Sequence, residues 1–249
     1  MLLAAYDDFG PQLVVMDFQK ESSEPHTFED LQFAVKLRYP EFDEHRVVDI
    51  EIRADPGPSW QPNTKLQVPF SQDTSNGLRV VSLWILFEDD DQCLIQFLPS
   101  NGIAAFLAEN QVTSYYEWEE WGPHMSRFFL PPQPHSETWV CYVHGWKYVM
   151  LEPGATEGAS EDGCVARLYD FNQVVINRNY RDVTRTSVVM DRWLCKKAGT
   201  VFAPGTIFKD LVKTTLPYRS QVLSLKDTHN HCLPLCSEDH IIIVDVSFP

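Results

Sequence analysis

The residues with the greatest chemical potential in this sequence lie together near its C-terminal end, in His229-Asn230-His231-Cys232-Leu233-Pro234-Leu235-Cys236-Ser237-Glu238-Asp239-His240. Imidazole nitrogens and thiolate sulfurs are the ligands zinc prefers, and His229, His231, Cys232, Cys236 and His240 supply enough of them for a tetrahedral site. The Cys-x-x-x-Cys spacing is one that zinc loops use, and Pro234 is placed to fold the chain so that both sulfurs converge. Against that chemistry, no second ligand pair follows at a finger-like distance, and His240 opens an apolar run. A loop leading into a strand accounts for the same residues, so a small metal- or ligand-binding module is the alternative reading rather than the leading one.

Catalytic chemistry finds less to work with. The chain has no G-x-S-x-G, no H-E-x-x-H and no phosphate-binding loop. Cys141 and His144 form a thiol–imidazole pair on paper, but three residues apart in a strand they point to opposite faces. Carboxylates gather at Asp89–Asp91, at Glu117, Glu119 and Glu120, and at Glu161 with Asp162. None has the apolar surroundings that would raise one pKa for acid catalysis. The expectation is a non-enzymatic protein without a cofactor.

Composition narrows the partners. The 249 residues are 44% hydrophobic and 12% aromatic, enough apolar surface for a packed core rather than a disordered tail. A formal net charge of −15 opposes the phosphate backbone, and the short basic stretches Arg178–Arg181 and Arg192 with Lys196-Lys197 read as solvated faces, so no nucleic acid is expected. No apolar run approaches the ~18–20 residues that span a bilayer, so no membrane is expected either. The opening Met1–Asp8 lacks the basic region of a signal peptide. Cys93, Cys141, Cys164, Cys195, Cys232 and Cys236 are scattered through a chain too long to need a disulfide framework, and no Asn-x-Ser/Thr acceptor occurs. These features predict buried thiols in a reducing, cytoplasmic or nuclear setting.

The elements that must position any site are short β runs divided by Pro, Gly, Asp and Asn. Strands are expected at Gln12–Phe18, Phe33–Arg38, Arg46–Ile52, Leu78–Phe87, Gln92–Leu98, Trp139–His144, Trp146–Leu151, Val165–Phe171, Thr186–Asp191, Gln221–Leu225 and His240–Asp245. Val48, Ile50 and Ile52 alternate with Asp49, Glu51 and Arg53, which predicts one buried face. Leu78–Phe87 is almost continuously apolar and predicts a strand buried on both faces, with a buried helix segment as the competing reading that periodicity alone does not separate. Acidic residues 88–91 and the His144-Gly145-Trp146 turn each predict a hairpin. Helix is expected only at Ile103–Asn110 and Phe208–Leu216, and loops at Asp55–Pro58, Phe129–Pro134 and Glu152–Gly163. The whole reads as one all-β domain over 1–249, a propeller, sandwich or barrel.

Three stretches carry a likeness. The first is Arg53-Ala54-Asp55-Pro56-Gly57-Pro58-Ser59-Trp60, followed by Val68-Pro69-Phe70. The second is Tyr116-Glu117-Trp118-Glu119-Glu120-Trp121-Gly122-Pro123 with Ser126-Arg127-Phe128-Phe129. The third is Trp139–Val149 with Tyr169-Asp170-Phe171-Asn172 and Leu216-Pro217-Tyr218-Arg219. In order and spacing they resemble the C-terminal, post-F-box, β-propeller-like region of basidiomycete fungal F-box proteins, from about Gln12 onward. The F-box itself is not recognised, which leaves an N-terminally truncated product, an F-box-less relative or a nonfunctional gene fragment as expectations. The resemblance implies a partial or complete β-propeller-like array and the substrate-recognition region of a cullin-type ubiquitin ligase adaptor, with a Skp-type adaptor as partner only where an F-box lies upstream. Physically, the two indoles of Trp118 and Trp121 are expected to pin a loop that Gly122-Pro123 ends, and Arg127 to pair with Glu119 or Glu120. Trp60, Trp118, Trp121, Trp146 and Tyr180 are the expected partner contacts, because aromatic anchors dominate interface energetics.

Overall fold

The computed structural model describes residues 2–8, 10–16, 34–43, 46–53, 77–87, 90–110, 115–131, 143–153, 164–179, 187–190, 193–224, 232–236 and 240–245. Strands dominate them, in several small sheets that are antiparallel apart from one parallel pair. The first sheet is β1 (Leu2–Asp7), β2 (Gly10–Met16), β3 (Ala34–Arg38) and β7 (Tyr115–Tyr116). The second is β4 (Arg46–Arg53), β5 (Leu78–Phe87), β6 (Asp90–Pro99) and β8 (Arg127–Phe129). The third runs β12 (Ser187–Met190), β13 (Trp193–Lys196), β16 (Tyr218–Ser224), β11 (Cys164–Asp170), β10 (Lys147–Pro153) and β9 (Val143–His144). Two two-stranded sheets complete the set: β14 (Thr200–Phe202) with β15 (Val212–Thr214), and β17 (Cys232–Cys236) with β18 (Ile241–Asp245). No helix among the described residues is long and apolar enough to cross a membrane.

Side-chain alternation along β5 explains how the sheets stack. Val81, Leu83 and Ile85 point to one face and Leu78 and Val80 to the other, and all five are buried. The β5–β6 hairpin is therefore a wall between two cores, as the apolar run predicts. On the first side, Val81, Leu83, Ile85, Leu94 and Leu98 meet Leu13, Val35 and Leu37 of the first sheet, with Trp118, Trp121 and Phe128. On the second side, Leu78, Val80, Ile95 and Phe97 meet Tyr148, Met150, Tyr169 and Tyr218 of the third sheet. The far face of that sheet, through Val149 and Ala166, packs on Cys236, Ile241 and Ile243 of the last hairpin. Four sheets thus lie face to face in a row, and among the described residues no apolar cluster joins the last to the first.

Several local expectations change. In β4 a register shift between Val47 and Asp49 inserts an extra residue, so Val47 shares the buried side with Ile50 instead of facing away from it. Residues Trp118–Met125 form a helix, α2, rather than a loop, and Pro123 sits inside it instead of ending it. Its start is secured by the Glu120 carboxylate, which accepts the Glu117 N–H at 2.8 Å. Freed from the helical ladder, the Pro123 carbonyl is used outward and accepts the Thr215 N–H. The expected helix at Phe208–Leu216 is absent: Val212 and Thr214 are buried and Lys213 exposed, a period of two that suits β15. The Ile103–Asn110 expectation is met by α1 (Ser100–Glu109), and Gly145 takes φ +56° in the β9–β10 turn, a conformation glycine adopts without strain.

Candidate functional site

Where the second, third and β14–β15 sheets meet, the surface opens into a cleft of about 360 Å³. Phe129 at the end of β8 and the following Leu130 form one wall, and Thr200 and Phe202 of β14 another. Met150 and Glu152, two residues apart and so on one face of β10, complete it with Tyr169 of β11 and Tyr218 of β16. Phe129 is locked in place by both tyrosines, with ring centroids at 4.9 Å from Tyr169 and 5.2 Å from Tyr218. Aromatic packing therefore sets this surface in advance of any ligand.

The polar group of the cleft is the Glu152 carboxylate. Arg167, diagonal to it across the β10–β11 pair, donates its Nε–H to both oxygens, at 2.7 Å to Oε1 and 2.9 Å to Oε2. The Tyr169 hydroxyl donates to Oε1 at 3.2 Å. Burial, followed by the neighbouring Glu152 charge, pushes the Tyr169 phenol far above its ordinary range, so it stays a protonated donor. Behind the cleft lies Arg127, only 2% exposed. Its guanidinium covers the Tyr218 ring at 4.8 Å and donates to the Ala198 carbonyl at 2.6 Å. Among the described residues it meets carbonyls and a ring, not the Glu119 or Glu120 carboxylate expected of it. Desolvation lowers its pKa, with Tyr218 opposing the shift.

The tryptophans expected at a partner surface lie elsewhere. Trp118 and Trp121 are 3% and 1% exposed, and they form the floor of the first core instead of an exposed loop. Trp118 stacks on Phe128 at 5.2 Å, and the Trp121 Nε1–H donates to the Arg38 carbonyl at 2.9 Å. Rings enclosed to this degree have no area left for a partner, so both are corrected from contacts to core. Trp146 is half-buried in the β9–β10 turn and packs against the second core. Trp60 and Tyr180 lie outside the described residues.

The metal reading loses its thiol pair. Cys232 and Cys236 begin and end the extended strand β17, paired with Asp245 and Ile241. Four residue steps along the strand place their backbones roughly 13 Å apart, whereas two sulfurs on one zinc must each lie about 2.3 Å from it. Pro234 is a strand residue opposite Ile243, not a bend. Cys236 is buried against the third sheet, and His240 is exposed ahead of β18. His229 and His231 lie outside the described residues. No group of three or more His, Cys, Asp or Glu among the described residues is placed to hold a metal ion.

The sequence names none of Phe129, Glu152, Tyr169, Thr200, Phe202 and Tyr218 as a site residue, although Phe129, Tyr169 and Tyr218 lie in the stretches that carry the family likeness. One signal was available: Glu152 follows the apolar run Tyr148–Leu151, and Arg167 interrupts Val165–Phe171. A carboxylate and a guanidinium placed in two adjacent apolar strands suggest each other as partners. Comparison of the chain with family models, with curated proteins and with solved structures finds no match.

Proposed function

We propose that the chain is a non-enzymatic protein-recognition domain built as a propeller-like row of small sheets. The observation that carries this reading is the cleft at the junction of three sheets, whose rings are fixed by packing before anything binds. Preorganised aromatic surface is what interfaces use for their anchors, because little side-chain entropy remains to be lost. Propeller blades pack face to face, and the apolar clusters shared between the first and second, second and third, and third and last sheets support that likeness.

The resemblance to the post-F-box region of fungal F-box proteins supports a narrower role: presenting a protein substrate to a cullin-type ubiquitin ligase, in the cytoplasm or nucleus. Affinity purification of the tagged protein from the organism that expresses it tests both levels. Recovery of cullin and a Skp-type adaptor together with a third protein is the expected result. Recovery of a partner without ligase subunits would remove the ubiquitin role and keep recognition. Recovery of no partner, even after cross-linking, would count against recognition itself.

A further inference from the structure

We infer that the outer edge of β18 takes an extended segment of the protein partner as a third strand, aliphatic at its centre and basic at its ends. The inference rests on the recognition reading and adds to the cleft a second surface, at the far end of the row of sheets.

Backbone hydrogen bonding identifies the kind of ligand. The first, second and third sheets have four, four and six strands, and the last has two. β17 and β18 pair along their full length, from Cys232 opposite Asp245 to Cys236 opposite Ile241. Among the described residues no strand pairs with the other side of β18, and residues 241–244 make no hydrogen bond beyond those to β17. A row of outward N–H and C=O groups in strand geometry matches another extended backbone.

Exposed edges are ordinarily protected by proline, charge or a bulge. β17 carries Pro234, which has no N–H to offer an incoming strand. β4, at the edge of the second sheet, has its bulge and the charged Arg46, Asp49, Glu51 and Arg53. β18 runs Ile241-Ile242-Ile243-Val244 in unbroken register, and its first charge is Asp245 at the very end. The last hairpin thus has one guarded strand and one open one.

Side chains set what the added strand carries. Ile241 and Ile243 face the third sheet beside Cys236, while Ile242 and Val244 face outward at 52% and 39% exposure. A neighbouring strand lays its alternate residues beside each of these sets, so aliphatic side chains match both. The chain's net charge of −15 favours lysine or arginine at the ends of the segment and opposes a second copy of this chain. An edge of five residues also falls well short of the roughly 20–30 residues per side of a standard interface, which suits a short segment.

The probe is a synthetic peptide of alternating isoleucine and threonine with a pair of lysines at each end, titrated into the isotope-labelled full chain. It is expected to shift the amides of residues 241–244 and to slow their hydrogen exchange. N-methylating every amide of the central run removes the donors and keeps the side chains, and should weaken binding by roughly tenfold or more. Ile242→Lys, at an exposed position, gives β18 the guard it lacks and should weaken binding by a similar factor without unfolding the chain. Glutamates in place of the terminal lysines should weaken it as well. Undiminished binding of the methylated or the glutamate-ended peptide, or shifts confined to other surfaces, would each overturn the inference. So would a concentration-dependent dimer in sedimentation that Ile242→Lys abolishes, because the edge would then belong to a second copy. Undiminished partner recovery by the Ile242→Lys protein would overturn it too, yet leave the recognition reading standing. Recovery of no partner by the unaltered protein would instead bring down that reading.

Discussion

On one side of the β5–β6 wall, Trp121 and Tyr39 turn their polar atoms inward: the indole N–H reaches the Arg38 carbonyl and the Tyr39 hydroxyl donates to Gln96 Oε1 at 2.6 Å. On the other side, Tyr169 and Tyr218 belong to the core and line a cleft at the same time. Both sides are rich in aromatic rings. The difference lies in where the polar ends go. The sealed side ends its donors on a backbone carbonyl and a buried amide, whereas the equally buried Tyr169 ends its donor on the Glu152 carboxylate, which is partly exposed. Aromatic content alone therefore does not locate a binding surface; the fate of its polar atoms does.

Truncating the sealed side breaks the comparison most severely. Trp121→Ala should cost about 3–5 kcal/mol, the range for a large buried aromatic, read as a fall in the urea midpoint at constant slope. A change within about 0.5 kcal/mol would mean that Trp121 is a surface contact after all. Gly122→Ala comes next. An added Cβ would lie 2.2 Å from the Trp118 ring, which is stacked on Phe128 and has nowhere to go, so an overpacking loss of about 1–3 kcal/mol is expected.

Alkaline titration sharpens the comparison, because each side holds a phenol with a raised pKa. Burial is the main cause for both; the Tyr6 charge adds to it at Tyr39, and the Glu152 charge at Tyr169. In the unfolded chain both ionise near pH 10. Above that pH the folded state binds more protons than the unfolded one, so stability is retained below about pH 10 and falls as pH rises further. Denaturant titrations at neutral and alkaline pH should show this slope, and Tyr39→Phe and Tyr169→Phe should each reduce it. An unchanged slope in both variants would assign the alkaline loss to other groups. The smallest effect belongs to the cleft: Glu152→Gln should lower stability by less than about 1 kcal/mol, because the Arg167 pair is partly solvated. A cost comparable to that of Trp121→Ala would make Glu152 a structural residue.

β propensity made the wall legible as a strand, although its nearly continuous apolar pattern also fits a buried helix until β5 is paired with β4 and β6. Most strand positions and the Gly145 turn follow from β propensity and from glycine's access to positive φ in the same way. Three features resisted. The β4 bulge depends on how Val47 and Asp49 pair with β5, which no pattern within β4 records. Gly122-Pro123 reads as a helix stop, but the Glu120 cap and the packing of Trp118 and Trp121 outweigh that local preference. The separation of Cys232 from Cys236 is a matter of extended backbone, invisible in a spacing that a loop could equally adopt. The cleft draws on five strands or their ends, from residue 129 to residue 218, so no short motif could announce it.

The β5–β6 hairpin supplies atoms to both cores, and this governs how the protein comes apart. Neither core can lose its share of the wall without exposing the back of the other, so the two melt together. Calorimetric and van't Hoff enthalpies should then agree for the region the wall joins, and a substitution such as Leu83→Ala, on the sealed face, should loosen the amides around Tyr169 and Tyr218 as much as those around Trp121. Hydrogen exchange that slackens on one side alone would show two separate units resting against a common partition.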